Sequence, residues 1–258
     1  MRRRMTPQPG KRDRSRQTGL ARVLSKLGYC SRSQASEFIR AGRVKLNGVV
    51  RRDPETPTRL TEDKITVDER PVKTSPKRYF MLHKPRGVVT TAADERGRET
   101  VYEYLPKTLS WIAPVGRLDK ASEGLLLLTN DSEWAARISA PETHLDKTYH
   151  VQIRAVAGEA LLQALRAGVA AKDGDFLAAK RADVLRQGQR NSWLEIVLDE
   201  GKNRQIRRML EHLNIEVLRL VRVAIGPLVL GQLAKGQSRE LSPDEQASLT
   251  RAMPGPGN

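Results

Sequence analysis

The chain has 258 residues, with 46 Lys and Arg against 30 Asp and Glu, and a formal net charge of +16. This excess of positive charge indicates a polyanionic partner, nucleic acid before membrane. One cysteine and four histidines without ligand spacing exclude an internal disulfide framework and a recognisable metal site. The N-terminus has no apolar segment of the signal-peptide kind and no apolar run reaches membrane-spanning length, so we predict a cytoplasmic protein.

Residues 1–17 are basic and polar and contain Pro and Gly, which predicts a disordered arm. Two interpretations of the arm stay open: electrostatic contact with nucleic-acid phosphates, or a solvated tail.

Residues 18–75 have the pattern of a small domain followed by a linker. Apolar residues at helical spacing from Leu20 predict a first helix that ends at Gly28. Ser31 and Gln34 have capping-box spacing and predict the start of a second helix. Asn47-Gly48 then predicts a tight hairpin turn between two short strands.

Basic side chains are concentrated on these helices and on the hairpin. The order of features, from Leu20 through Ser31 to Asn47-Gly48, resembles the S4 RNA-binding domain. The resemblance implies RNA contacts by Arg22, Lys26, Arg32 and Arg43. The alternatives are a small helical domain with solvated charges, or a DNA-binding regulator, which would need a dimerisation element that we do not find.

The most informative stretch of the chain lies between two buried strands. Trp111–Val115 and Leu125–Leu128 have the apolar character of such strands, and the polar loop between them holds Asp119, two residues from Arg117. A loop fixed between buried strands is a rigid place for a reactive group. Taken by itself, this loop has a simpler interpretation, in which the aspartate only bonds the backbone of its own turn.

Strand and helix patterns interleave through residues 76–245. Alternation over Lys147–Ile153 and Trp193–Leu198 predicts strands, and an amphipathic pattern over Glu159–Ala167 predicts a helix. A further helix is expected after Gly201, with Asn203 as its N-cap. Several connections are too short for a crossover helix, so the fold class is α+β, with a mixed, largely antiparallel sheet flanked by helices. Residues 246–258 are predicted to be a disordered tail.

Three motifs follow one another in this part of the chain: Lys84-Pro85-Arg86-Gly87, Gly116-Arg117-Leu118-Asp119 and Gly124-Leu125-Leu126. Their order resembles that of the RsuA-like family of single-site bacterial ribosomal RNA pseudouridine synthases. The resemblance extends over residues 20–241. It implies isomerisation of one uridine to pseudouridine in ribosomal RNA, leaning to the large-subunit RNA. This reaction involves no net oxidation, no group donor and no hydrolysis, so it requires no cofactor and no metal. We expect a monomer, since no coiled coil or exposed apolar repeat is evident in the sequence. The Lys84–Gly87 turn is assigned a structural role. The alternative is a non-catalytic S4-type RNA-binding or ribosome-assembly factor.

The resemblance also implies roles for individual residues. Asp119 is the nucleophile, which either adds to the ribose or removes a ribose proton. Tyr149 stacks on the flipped uracil, although a core tyrosine is the simpler interpretation of this residue by itself. Arg207 pairs with the catalytic carboxylate, unless it pairs with Glu211 on the same helix. The RNA-binding residues implied for this domain are Arg117, Lys147, Lys202, Arg204 and Arg208.

Overall fold

The computed structural model describes residues 17–91, 97–109, 111–171 and 174–253. Residues 1–16, most of the arm predicted to be disordered, lie outside these ranges. Tertiary contacts divide the chain into two compact units that separate between Pro76 and Lys77. In the described ranges, no helix combines the length and the apolar character needed to cross a membrane.

The first unit is built from two helices and short strands. Its elements are β1 (Thr18–Gly19), α1 (Leu20–Lys26), α2 (Arg32–Arg40), β2 (Val44–Leu46), β3 (Val49–Arg51), β4 (Pro57–Thr58), β5 (Ile65–Val67) and β6 (Arg70–Pro71). An antiparallel sheet of order β3-β2-β5-β6 packs with the helices around a core that includes Leu20, Leu24 and Ile39. β1 pairs separately with β4.

Local sequence signals account for this unit. The Ser31 hydroxyl accepts a hydrogen bond from the Gln34 backbone N–H at 3.1 Å, and the Gln34 side chain accepts one from the Ser31 N–H at 3.2 Å. Asn47 and Gly48 have φ values of 52° and 83°, as the tight turn between β2 and β3 requires. The predictions of the capping box and of the hairpin are therefore confirmed.

The second unit contains one large sheet. Its elements are β7 (Tyr79–Lys84), a 3-10 turn (Val101–Tyr104), β8 (Ala113–Val115), β9 (Glu123–Thr129), α3 (Ser132–Ser139), a 3-10 turn (Pro141–Thr143), β10 (Lys147–Ile153), α4 (Glu159–Ala167), β11 (Val169–Ala170), β12 (Phe176–Leu177), β13 (Arg181–Gln187), β14 (Ser192–Leu198), α5 (Gln205–His212), β15 (Val217–Ile225), β16 (Leu228–Val229), β17 (Ser238–Glu240) and α6 (Pro243–Ala252). The main path through the sheet is β13-β14-β10-β15-β9-β7-β17, with β16 paired to β15 and β8 paired to β9. Only the pairing of β15 with β9 is parallel among the pairings of the described strands, so the predicted mixed, largely antiparallel sheet is confirmed.

The core lies on both sides of β9. Leu125 and Leu127 pack with α3 and α6 on one face, whereas Leu126 and Leu128 pack with β7 and the Val101–Tyr104 turn on the other. A strand buried on both faces gains stability from apolar residues at every position, which explains the continuous leucine run. Helices α4 and α5 cover the far half of the sheet, over β10 and β14.

The prediction of a disordered tail from residue 246 is wrong for the residues that the structure describes. α6 runs to Ala252, and Leu249 on it is fully buried. The Ser242 hydroxyl accepts from the Glu245 N–H, and the Glu245 carboxylate accepts from the Ser242 N–H. This Ser-x-x-Glu capping box is a sequence signal that outweighs the polar composition.

The start of α5 also differs from the prediction. The helix begins at Gln205 and its N-cap is Arg204, not Asn203. Arg204 has φ 48° and ψ 32°, a left-handed conformation that is uncommon for a residue other than Gly, Asn or Asp. A non-glycine residue in this region signals that the surrounding structure fixes its backbone.

Candidate active site

A cleft of about 440 Å³ opens in the second unit. Its walls are the β8–β9 loop, the start of β10, the segment that leads into α5, and the second half of β15. Asp119, Tyr149, Lys147, Lys202, Arg204 and Arg117 all line it. The structure therefore brings together residues that are 85 or more positions apart in the sequence, such as Asp119 and Arg204.

The loop that carries Asp119 is held by its backbone. The Thr90 hydroxyl donates to the Leu118 carbonyl oxygen at 2.9 Å, and the Ser122 N–H donates to the Asp119 carbonyl oxygen at 2.9 Å. Gly124 closes the loop with φ 105°, and a Cβ at this position would lie 2.2 Å from the Arg222 carbonyl oxygen. Glycine is required there because β9 and β15 approach too closely for any side chain.

Lys84 also supports the loop, and it is fully buried. Its ammonium donates to the carbonyl oxygens of Pro85, Asp119 and Ser122 at 3.1, 3.1 and 2.9 Å. Burial lowers the pKa of Lys84 to about 8, although the charges of Asp119 and Glu123 oppose that shift. Sequence analysis assigned this turn a structural role, but it did not predict that the lysine would bond the loop that carries Asp119.

Arg204 and Arg207 both act on Asp119, in different ways. Arg204 Nη1 contacts Asp119 Oδ2 at 3.4 Å, and about half of the Arg204 side chain is exposed. Arg207 instead donates from Nη2 to the Ala121 carbonyl oxygen at 3.0 Å, and its Nε is buried without a hydrogen-bond partner among the described residues. The direct contact predicted for Arg207 is thus made by Arg204.

Arg207 still interacts electrostatically with Asp119. Burial and the neighbouring charge of Arg204 lower the pKa of the Arg207 guanidinium, while Asp119 raises it and Arg86 lowers it further. A guanidinium stays charged under such a shift. Two arginines therefore place positive charge around one carboxylate.

Tyr149 and Lys147 lie on the same edge of the cleft, at the start of β10. Tyr149 is half-buried and packs against two of the apolar clusters of the unit, so one part of its ring is a core contact. Burial lowers the pKa of the Lys147 ammonium, and Arg222 lowers it further. Arg222 is a cleft residue that sequence analysis missed. The available signal was its charge in a strand that is apolar at every position except Arg219 and Arg222.

The remaining predicted RNA-binding residues differ in their environment. Arg117 is exposed at the rim of the cleft. Lys202 donates to the Phe176 carbonyl oxygen at 2.9 Å, and Arg208 pairs with Asp175 at 2.8 Å, so both are partly used within the protein. In the first unit, Arg22 and Arg32 are exposed, Lys26 is half-buried, and Arg43 pairs with Asp68 and lies 4.4 Å from the Phe38 ring centre.

Comparison with known proteins identifies both units. Residues 78–212 match the family described as RNA pseudouridylate synthase, and residues 18–65 match the S4 domain. The chain belongs to the RNA pseudouridylate synthase family. The resemblance found in the sequence is therefore confirmed, as is the prediction that the chain is an enzyme.

Relatives and a solved structure extend this match over most of the synthase. This chain is 37% identical to the ribosomal large subunit pseudouridine synthase B of Bacillus subtilis over 232 residues. The matched region covers 89% of this chain and 94% of that protein. An uncharacterised RNA pseudouridine synthase of Aquifex aeolicus is also 37% identical, over 90% of this chain and 93% of that protein. The crystal structure of a pseudouridylate synthase superposes with a TM-score of 0.64 and 29% identity, covering 90% of this chain and 99% of that one.

Proposed function

We propose that the synthase converts one uridine of large-subunit ribosomal RNA to pseudouridine, with Asp119 as the nucleophile and the target nucleotide flipped into the cleft. The observation that carries this proposal is the position of Asp119: its carboxylate lies in the cleft, on a backbone-anchored loop, in contact with Arg204. The name of the Bacillus subtilis relative supports the choice of the large subunit.

The reaction breaks the N1–C1′ bond, turns the base and joins C5 to C1′, with no net oxidation and no group donor. An ionised carboxylate can attack C1′ directly, or it can remove a ribose proton. In both routes the Arg204 contact holds the carboxylate in place, and Arg207 adds positive charge near it. Tyr149 offers its ring to the uracil, and its hydroxyl is a candidate for the transfer of the C5 proton.

Basic residues divide the binding of RNA between the two units. Arg117, Lys202, Arg204 and Arg208 contact phosphates around the flipped nucleotide, whereas Arg22, Lys26, Arg32 and Arg43 contact a second region of the RNA. A tethered second site raises the effective concentration of the RNA at the cleft. We place the synthase in the cytoplasm, acting as a monomer on ribosomal RNA or on a ribosomal subunit.

Pseudouridine mapping of ribosomal RNA tests the proposal. RNA from cells that lack the synthase is compared with RNA from cells complemented with wild type or with Asp119→Asn. We expect one site in large-subunit RNA to disappear on deletion and to return only with wild type. Loss of no site would favour a non-catalytic RNA-binding factor, and full restoration by Asp119→Asn would reject the nucleophile.

A further inference from the structure

Arg222 is a buried guanidinium on the floor of the cleft that the mechanism above does not use. It lies on β15, lines the cleft and is only 6% exposed. Its Nε donates to the Leu125 carbonyl oxygen at 2.8 Å, whereas its Nη2 is buried with no hydrogen-bond partner among the described residues. Buried donors without partners are rare in folded proteins, and each one calls for an explanation.

The charge of Arg222 is not balanced by a carboxylate. Within the described part of the chain, no Asp or Glu forms an ion pair with it. The charged residue that acts on it from the neighbouring strand is Lys147, whose pKa is lowered by burial and by Arg222. Burying Arg222 beside Lys147 costs stability in the free protein, because the guanidinium loses hydration without a paired carboxylate among the described residues, whereas Asp199 and Asp146 act on Lys147. Such a cost is expected where a ligand or a reaction supplies the negative charge.

The register of the sheet indicates which part of the nucleotide Arg222 would meet. Tyr149 on β10 is paired directly with Arg222 on β15, and side chains in such a pair lie on the same face of a sheet. Tyr149 is the residue assigned to stack on the uracil, so its neighbour lies beside the base. A phosphate, in contrast, would remain near the exposed rim, where Arg117 and Lys202 lie.

We propose that Arg222, together with Lys147, stabilises the negative charge that the uracil oxygens acquire when the N1–C1′ bond breaks. This inference rests on the proposed function. The electron pair of that bond passes to the ring and spreads over N1, O2 and O4, while C1′ bonds to Asp119 or the sugar loses a proton to it. C5 then bonds to C1′ while the Asp119–C1′ bond breaks, or while Asp119 returns the proton to the sugar, and afterwards the proton on C5 is lost and N1 gains one. The uracil anion is common to both routes, so Arg222 acts in either.

The test compares two leaving groups. Large-subunit ribosomal RNA is transcribed with uridine or with 5-fluorouridine, and loss of the parent nucleoside is followed by mass spectrometry under single-turnover conditions. Fluorine at C5 stabilises the uracil anion and makes it depend less on the protein. We expect Arg222→Gln to slow the uridine reaction about 100-fold, as for loss of one donor to a developing anion, and the 5-fluorouridine reaction less than about 10-fold. The Kd of the uridine transcript should stay within about 3-fold of wild type.

Lys147→Gln, at a less buried position, should show the same dependence on the leaving group with a smaller loss. Arg154→Gln is the matched control, because Arg154 ends the same strand pair but is exposed and pairs with exposed Glu216. Its rates should equal wild type with both RNAs.

Each other outcome has one meaning. If Arg222→Gln does not fold cooperatively, Lys147→Gln and Arg222→Lys test the inference instead. The quantity compared is again the rate loss with uridine RNA against the rate loss with 5-fluorouridine RNA. Equal losses with both RNAs, or a raised Kd with unchanged rates, would overturn the inference, and the second result would assign Arg222 to an RNA phosphate. If wild type forms pseudouridine neither in the transcript nor in large ribosomal subunits, the proposed function fails and this inference with it. If wild type is active, the variants test only the role of Arg222 and not the proposed function.

Discussion

The two units of the synthase use positive charge in opposite ways. In the first unit, Arg22 and Arg32 extend from helix surfaces into solvent, and no described acidic residue forms an ion pair with either. In the second unit, Lys84 is fully buried, Arg222 is 6% exposed and Arg207 is half-buried. Exposed cations keep their hydration and attract RNA over a distance that salt shortens. Buried cations lose hydration, so a fold retains them only where fixed position or fixed charge is needed.

This difference teaches that the basic composition has two separate causes. The net charge is a property of the surface and indicates a polyanionic partner. The buried lysine and arginines contribute little to that attraction and serve the geometry of the cleft.

Lys84→Met should have the largest effect. The substitution keeps much of the side-chain volume but leaves the carbonyl oxygens of Pro85, Asp119 and Ser122 without their donor. Each buried carbonyl oxygen left without its donor costs about 1–3 kcal/mol. Urea denaturation should show that loss for the second unit, and the single-turnover rate should fall as well. Lys77→Met is the control, because Lys77 is an exposed lysine close to the start of β7. Equal stability of the two variants would show that Lys84 is not a support of the loop.

The buried ammonium of Lys84 should also make stability depend on pH. Its pKa is about 8 in the folded protein and 10.5 when unperturbed. Below pH 8 both the folded and the unfolded chain hold the proton, and above 10.5 neither does. Between these values the unfolded chain binds more protons, so the stability contributed by this group rises with pH. The free energy of unfolding of wild type minus that of Lys84→Met should therefore increase across this window. A constant difference would contradict the low pKa.

Arg207→Gln and Arg204→Gln test whether a buried arginine contributes more to catalysis than an exposed one, since both arginines act on Asp119. Arg207 is half-buried and anchors Ala121, so its loss should lower the single-turnover rate about 100-fold, as for loss of one fixed donor. Arg204 makes a 3.4 Å contact from a half-exposed side chain, and exposed pairs contribute about 0.2–1 kcal/mol, so its loss should lower the rate about 2- to 5-fold. The reverse ranking would show that the direct contact with the carboxylate matters more than burial.

The Arg22→Gln and Arg32→Gln double variant should have the smallest effect on catalysis. Loss of two phosphate contacts should reduce the slope of log K against log salt by about 1.4–1.8 and raise the Kd of ribosomal RNA at low salt. The maximal single-turnover rate and the thermal stability should stay unchanged, because neither side chain is buried or forms an ion pair with a described residue. Arg43→Gln is the contrasting variant, since Arg43 already pairs with Asp68. A reduced maximal rate in the double variant would contradict a purely electrostatic role.

Local signals in the sequence predicted many elements of the fold. The capping box at Ser31, the Asn47-Gly48 turn and the helix Glu159–Ala167 depend on residues close together in the chain, and the structure has all of them. The same kind of signal at Ser242 was missed, because the polar composition of the last residues was given more weight than their spacing. Motif resemblance predicted the family and the loop that carries Asp119.

Only the tertiary structure decided the contacts around that loop. Each of these contacts involves segments that are far apart in the sequence. They are the packing that buries Lys84 and Arg222, the contact of Arg204 rather than Arg207 with Asp119, and the pairing of Tyr149 with Arg222. Periodicity reports which face of an element is apolar, but it does not report which elements meet or how far a side chain loses its water. Most of the elements, the basic character and the chemical class could therefore be predicted from the sequence, whereas the packing of the sheet decides which cations are buried and which groups they bond.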